Sequence, residues 1–148
     1  MTKKQKFISD IITTLAFDIL LTILTHLIKY GKIIGSKFVG ELVLGLIIGY
    51  IVTITVPSEK WGYNLALKMD IKPESLGFIL ISGAVISVVF VSCMATMLTL
   101  VGSCLIGGAP VKSAMTGVVK VIWIYYLSAY LFGLIVTKPI KNLAKLIV

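Results

Sequence analysis

The chain has 148 residues, 58% of them hydrophobic, with a mean hydropathy of +1.06 and a formal net charge of +8. That apolar share lies above the roughly 45–50% of soluble domains and excludes an ordinary water-soluble globule. Four spans of about 20 residues each would consume more than half the chain, which leaves one membrane domain over residues 1–148 and no separate soluble unit.

All fourteen basic residues are Lys, and most flank apolar stretches. Such clusters match topology signals and contacts with the lipid bilayer, and they argue against nucleic acid as a partner. The absence of Arg together with abundant Ile fits the coding bias of an AT-rich bacterial genome.

Lys3, Lys4 and Lys6 precede a first apolar run, about Ile8 to Ile28. Asp18 interrupts it and no small-residue cleavage site follows, so it reads as an uncleaved span rather than a secretory signal. A second run, about Phe38 to Val56, stops at Pro57. The polar interval beyond it carries Lys60, Lys68 and Lys72 among Glu59, Asp70 and Glu74, with Trp61, Leu65 and Met69 at helical spacing.

The third apolar stretch, about Gly77 to Ile106, exceeds the length a bilayer core needs. It must tilt, protrude, or unwind near Gly102 or at the Gly107-Gly108-Ala109-Pro110 turn. The fourth runs about Ser113 to Val136 and ends before Lys138-Pro139; beyond it Ile140, Leu143 and Ile147 lie opposite Lys138, Lys141 and Lys145. The two short amphipathic segments, Trp61–Met69 and Pro139–Val148, are expected to lie flat at an interface. They would serve as depth anchors, or as a lipid or partner contact surface.

The chain also echoes itself. Asn64-Leu65-Ala66 reappears as Asn142-Leu143-Ala144, and at the same ungapped offset Thr14, Asp18 and Thr25 fall on Ser92, Thr96 and Ser103. The expected fold is therefore an all-α membrane protein of four transmembrane helices, built from two parallel helical-hairpin repeats, about residues 8–69 and 77–148. With an even number of spans, nine Lys share the side of the termini (Lys3, Lys4, Lys6, Lys60, Lys68, Lys72, Lys138, Lys141, Lys145) against four on the other (Lys29, Lys32, Lys37, Lys112). This predicts both termini in the cytoplasm of a bacterial inner membrane.

The second half, from Ser92-Cys93-Met94-Ala95-Thr96-Met97 through Trp123 to Lys138-Pro139-Ile140-Lys141, resembles the small bacterial membrane family catalogued as domain of unknown function 2798. Thr55-Val56-Pro57 followed by Leu65-Ala66-Leu67-Lys68 is the looser counterpart in the first half. The family commonly has Gly before that Pro, where this chain has Lys138 and Val56. The resemblance implies a hairpin present once or twice, and no activity or catalytic residues.

Charges within a bilayer cost about 2.5–3.5 kcal/mol each on insertion scales and call for a reason. Asp18 falls near the middle of the first span, Lys120 about two turns into the fourth, Glu41 one turn into the second, and His26 near the outer end of the first. These four could form a connected polar cluster. In one reading Asp18 is a protonatable carboxylate tuned by Lys120 or His26; in the other, which the sequence favours, Asp18 and Lys120 are a structural ion pair while Glu41 and His26 reach the headgroups.

On the third span Ser92, Thr96, Thr99 and Ser103 share one helical face. They either line a hydrophilic path or, the more frequent use of such hydroxyls, let helices approach closely. Gly45-Leu46-Ile47-Ile48-Gly49 is a small-xxx-small face of the same kind, within the bundle or across a homo-oligomer.

Cys93, Met97 and Cys104 share a face and could offer soft sulfur to a monovalent copper ion. With no CxxC and no accompanying His, no metal is expected there. The two Cys are eleven positions apart along a helix, at about 1.5 Å per residue too far to bridge.

No phosphate loop, Ser-His-Asp arrangement or His-carboxylate ligand cluster is present, so neither a cofactor nor catalysis is expected. The leading expectation is a structural or interaction subunit of the membrane, partnered by itself or another membrane protein. The alternative is a small oligomeric proton-coupled exporter or channel with Asp18 as its coupling carboxylate.

Overall fold

The computed structural model describes residues 1–147, which are helical almost throughout and contain no strand. The elements are α1 (Lys3–Tyr30), α2 (Gly35–Thr55), α3 (Ser58–Lys68), α4 (Leu76–Leu98) continued by a π-helical segment (Thr99–Ile106), and α5 (Val111–Ile147). Four of these, α1, α2, α4 with its π extension, and α5, are long and apolar enough to cross a membrane.

Local chemistry sets the helix ends. Thr2 caps α1 in a reciprocal box: its hydroxyl accepts from the Gln5 N–H and its own N–H donates to Gln5 Oε1, at 3.2 and 2.9 Å. Gly31 closes α1 in the left-handed conformation, φ 66°, its N–H donating to the Leu27 carbonyl, a geometry glycine adopts without steric cost. Ser75 caps α4 by accepting from the Phe78 N–H at 3.2 Å.

Neighbouring spans run antiparallel. Between α1 and α2, Phe7 meets Tyr50 edge-on while Thr14 bonds Thr53 and His26 bonds Ile34. Phe17 meets Phe132 and Thr25 bonds Tyr125 between α1 and α5. Between α4 and α5, Ser92 bonds Tyr126 and Gly83 lies against Tyr130 and Leu134. The buried apolar core is small: Leu21, Ile48, Val52 and Met94, with Leu44, Phe90, Cys93 and Tyr125 among the side chains packed on it.

The outward surface is apolar instead. Val39, Val43, Ile47, Ile51 and Ile54 on α2, and Val119, Trp123, Leu127, Leu131 and Ile135 on α5, recur about every four residues and are all exposed. One stripe per helix thus faces the surroundings, as lipid requires and water forbids.

Helix α3 folds back over the start of α4. Gly62 and Ala66 are buried there, and a methyl group at Gly62 would come within 2.8 Å of the Ser82 carbonyl oxygen. Tyr63 stacks edge-on to Phe78. This is the amphipathic helix expected from Trp61, Leu65 and Met69, all three of which are exposed.

The helix of the fourth span does not break at Lys138-Pro139: α5 continues through Pro139 to Ile147, about 55 Å at 1.5 Å per residue, which is longer than a bilayer core needs. Pro139 forfeits one backbone bond but needs no N–H partner of its own, and burial of Ile140 and Ala144 holds the next turns helical. Val148, the end of the expected flat segment, lies outside the described residues.

The third span stays helical through Gly102 and ends at the expected Gly107-Gly108-Ala109-Pro110 turn. It loosens into i→i+5 bonding from Thr99 to Ile106 and closes with the Gly107 N–H donating to the Gly102 carbonyl.

Candidate functional site

The buried face of α1 is polar. Ser9, Thr14, Asp18, Thr22 and His26 are each no more than 6% exposed, at successive spacings of five, four, four and four, and Leu21 is the only apolar residue buried with them. Residues four apart stack on one helical face. A seam of hydroxyl, carboxyl and imidazole groups therefore runs the length of the helix, inside a bundle whose exterior is Ile, Val and Leu.

Asp18 lies at the middle of the seam and is 1% exposed. Its carboxyl group abuts the backbone of Gly45: any Cβ at position 45 would overlap Oδ1 and lie 2.8 Å from Cγ. Both carboxyl oxygens are buried without a hydrogen-bond partner. Thr14 and Thr22 flank it on the same face, one turn away on either side. The Thr53 hydroxyl spends its proton on the Gly49 carbonyl at 2.8 Å, so Thr14 is the donor in the 3.1 Å bond between the two threonines.

At the other end of the seam His26 is fully buried. Its Nδ1 accepts the Ile34 N–H at 3.1 Å, capping the start of α2, where Ile34 has no side-chain cap of its own. Because Nδ1 is the acceptor, the ring hydrogen resides on Nε2, which lies 3.1 Å from Oε2 of half-buried Glu41. Tyr30 and Phe38 stand edge-on to the imidazole, each 5.4 Å between ring centres. Lys29 and Lys37 lie over the Tyr30 ring at 5.5 and 4.9 Å. His26 is thus a clasp between α1 and α2.

Of the four charged or ionisable residues marked in the sequence, His26 and Glu41 meet directly, and Asp18 lies two turns below His26 on the same buried face. Lys120 does not join them. It is exposed and lines a shallow groove with Pro110, Lys112, Ser113, Thr116 and Gly117, and the only contact of a basic side chain with a carboxylate among the described residues is that of His26 with Glu41.

The hydroxyls of the third span divide. Ser92 donates to the Val88 carbonyl at 2.6 Å and so accepts from the Tyr126 hydroxyl at 2.7 Å; Thr99 is buried, while Thr96 and Ser103 are half-buried. From Thr99 onward, Ser103 included, the helix is wound with i→i+5 bonds. Cys93 packs on the core, Met97 is exposed, and among the described residues no group of three or more His, Cys, Asp or Glu could hold a metal ion.

Several members of the site were not singled out from sequence: Ser9 and Thr22 on α1, Thr53 on α2, and Tyr125, which donates to Thr25 at 3.0 Å while Thr25 donates to the Leu21 carbonyl; Thr14 was marked only as a repeat-equivalent position. The signal was present in the spacing of Thr14, Asp18, Thr22 and His26, one face of a helix marked throughout by polar groups.

No protein-family model matches the chain, and no curated protein or solved structure is significantly similar to it.

Proposed function

We propose that this is a small proton-coupled membrane transporter or channel in which Asp18 takes up and releases the proton. The observation that carries this reading is the Asp18 carboxyl group, 1% exposed, with neither oxygen hydrogen-bonded, midway along a buried polar seam. A carboxylate in an apolar interior needs a donor or a cation. Among the described residues it has neither, so a mobile proton is the smallest species that completes the site. Intramembrane carboxylates facing a bundle interior are used in this way in proton relays.

The framework proposed is the pair of parallel hairpin repeats, α1–α2–α3 followed by α4–α5. In its support, Ser9 and Ser87, Gly62 and Ile140, and Ala66 and Ala144 are equivalent at the repeat offset and all six are buried. Both termini are proposed to face the cytoplasm of a bacterial inner membrane, on the Lys distribution, and kinship with the domain-of-unknown-function family 2798 rests on the residues quoted above. Self-association is part of the proposal, because four helices with so small a core enclose little polar volume.

The second reading is a structural or interaction subunit. What favours it is the row of exposed apolar side chains on α3 and on the tail of α5, among them Trp61, Leu65, Leu143 and Leu146. Proteoliposomes decide between the two. Vesicles containing the wild type should dissipate an imposed pH gradient faster than vesicles containing folded Asp18→Asn protein. Wild-type vesicles as tight as empty ones would overturn the transport reading in favour of the structural one.

A further inference from the structure

The shallow groove on the first turns of α5, about 560 Å³, is lined by Pro110, Lys112, Ser113, Thr116, Gly117 and Lys120. Lys112, Thr116 and Lys120 follow at spacings of four and share one exposed face of the helix. Helical side chains lean toward the N-terminus, which carries the Lys120 ammonium group back toward Thr116 and Lys112. Neither Lys touches a carboxylate among the described residues. Thr116 spends its hydroxyl proton on the Lys112 carbonyl at 2.7 Å, so the side-chain donors left to the groove are two ammonium groups and the Ser113 hydroxyl. Two cations lining one groove repel each other, and an anion between them relieves the repulsion.

The rest of the same face says which anion. Lys120 and Lys138 bracket seventeen residues without a formal charge, 121–137, the length of one span. That sets Lys120 at the edge of the hydrocarbon, level with the headgroups. Beyond it Trp123, Leu127, Leu131 and Ile135 continue the exposed face along α5, with the indole at the boundary where Trp commonly sits. A soluble anion would use only the basic end of this face. A phospholipid matches both parts, and an anionic one matches best, because a zwitterionic headgroup brings a cation of its own.

We propose that this groove binds the phosphate headgroup of an anionic phospholipid, whose acyl chain runs along the exposed stripe of α5. The site is separate from Asp18 and does not depend on the proton reading.

The test is quenching of Trp123 fluorescence by brominated lipid. Trp61→Phe leaves Trp123 as the only indole of the full chain. This protein is reconstituted in mixed vesicles of phosphatidylglycerol and phosphatidylcholine, with bromine on the acyl chains of one lipid or the other. Phosphatidylglycerol should be preferred beside Trp123 by roughly fivefold or more, the worth of one Lys near an anionic surface. Lys112→Gln with Lys120→Gln should abolish the preference, while Lys112→Arg with Lys120→Arg, which keeps both charges, should retain it. Lys32→Gln, in the exposed turn between α1 and α2, should leave it unchanged, as should an excess of inorganic phosphate.

No preference in the wild type, one that survives the double Gln change, or one lost as fully in the double Arg variant or in Lys32→Gln would overturn the proposal. Displacement of the lipid by inorganic phosphate would overturn it as well, since the groove would then be a site for a soluble anion.

Discussion

The carboxyl group of Asp18 occupies the space that a side chain at Gly45 would need. The absence of a Cβ on α2 is therefore a condition for an acid on α1, and the glycine of the small-xxx-small face serves a polar contact rather than apolar helix packing alone. Gly45→Ala should push Asp18 out of its rotamer or part the two helices, at the roughly 1–3 kcal/mol typical of overpacking. Thermal unfolding in detergent measures the loss. The double change Gly45→Ala with Asp18→Ala should recover most of it, which a purely backbone effect of alanine would not allow.

Asp18 and Lys120 make a second test. Lys120 is exposed and the Asp18 oxygens have no partner, so a double-mutant cycle with Asp18→Asn and Lys120→Gln should give a coupling energy near zero, within about 0.5 kcal/mol. Asp18→Asn alone should leave the unfolding temperature unchanged or raised, because it removes an uncompensated acid. A double variant markedly more stable than the sum of the singles would mean that the two charges meet.

The spans themselves were legible because hydropathy is a property of the chain in one dimension. Phe38–Val56 became Gly35–Thr55 with little change, and the amphipathic Trp61–Met69 became α3. Helix rotation was not legible. In water, burial sorts apolar residues inward and the inward face can be read from composition; in lipid the exterior is as apolar as the core. Lys120 on the outside and Thr22 on the inside could therefore not be told apart by hydropathy. Nor could the continuity of α5 past Pro139, which depends on the burial of Ile140 and Ala144.

The clasp at His26 separates into two contacts that different side chains can imitate. His26→Ala leaves the Ile34 N–H and Glu41 without their partner and should cost about 1–3 kcal/mol. Asn offers an acceptor near the position of Nδ1, whereas Gln offers a donor near that of Nε2. Hydrogen exchange at the Ile34 amide should accelerate in the Ala and Gln variants and stay close to wild type in His26→Asn. Equal acceleration in all three would mean that the imidazole does not cap α2.

Tyr125 and Tyr126, adjacent on α5, bond in opposite directions, to Thr25 on α1 and Ser92 on α4. Each bond should show a coupling of about 0.5–1.5 kcal/mol in cycles of Tyr125→Phe with Thr25→Val and of Tyr126→Phe with Ser92→Ala. Cross-pairing the substitutions, Tyr125→Phe with Ser92→Ala, should give little, since those side chains share no bond.

The loosened turns from Thr99 to Ile106 have a consequence for how this chain can tolerate change in length. Each residue removed from an α-helix rotates everything beyond it by about 100°, so a deletion within α1, α2 or the first part of α4 would turn a lipid-facing stripe into the interior. A π-helical stretch holds slack instead. Loss of one residue there would tighten the winding toward α and leave the faces before Thr99 in register, so this segment is where shortening is most easily absorbed.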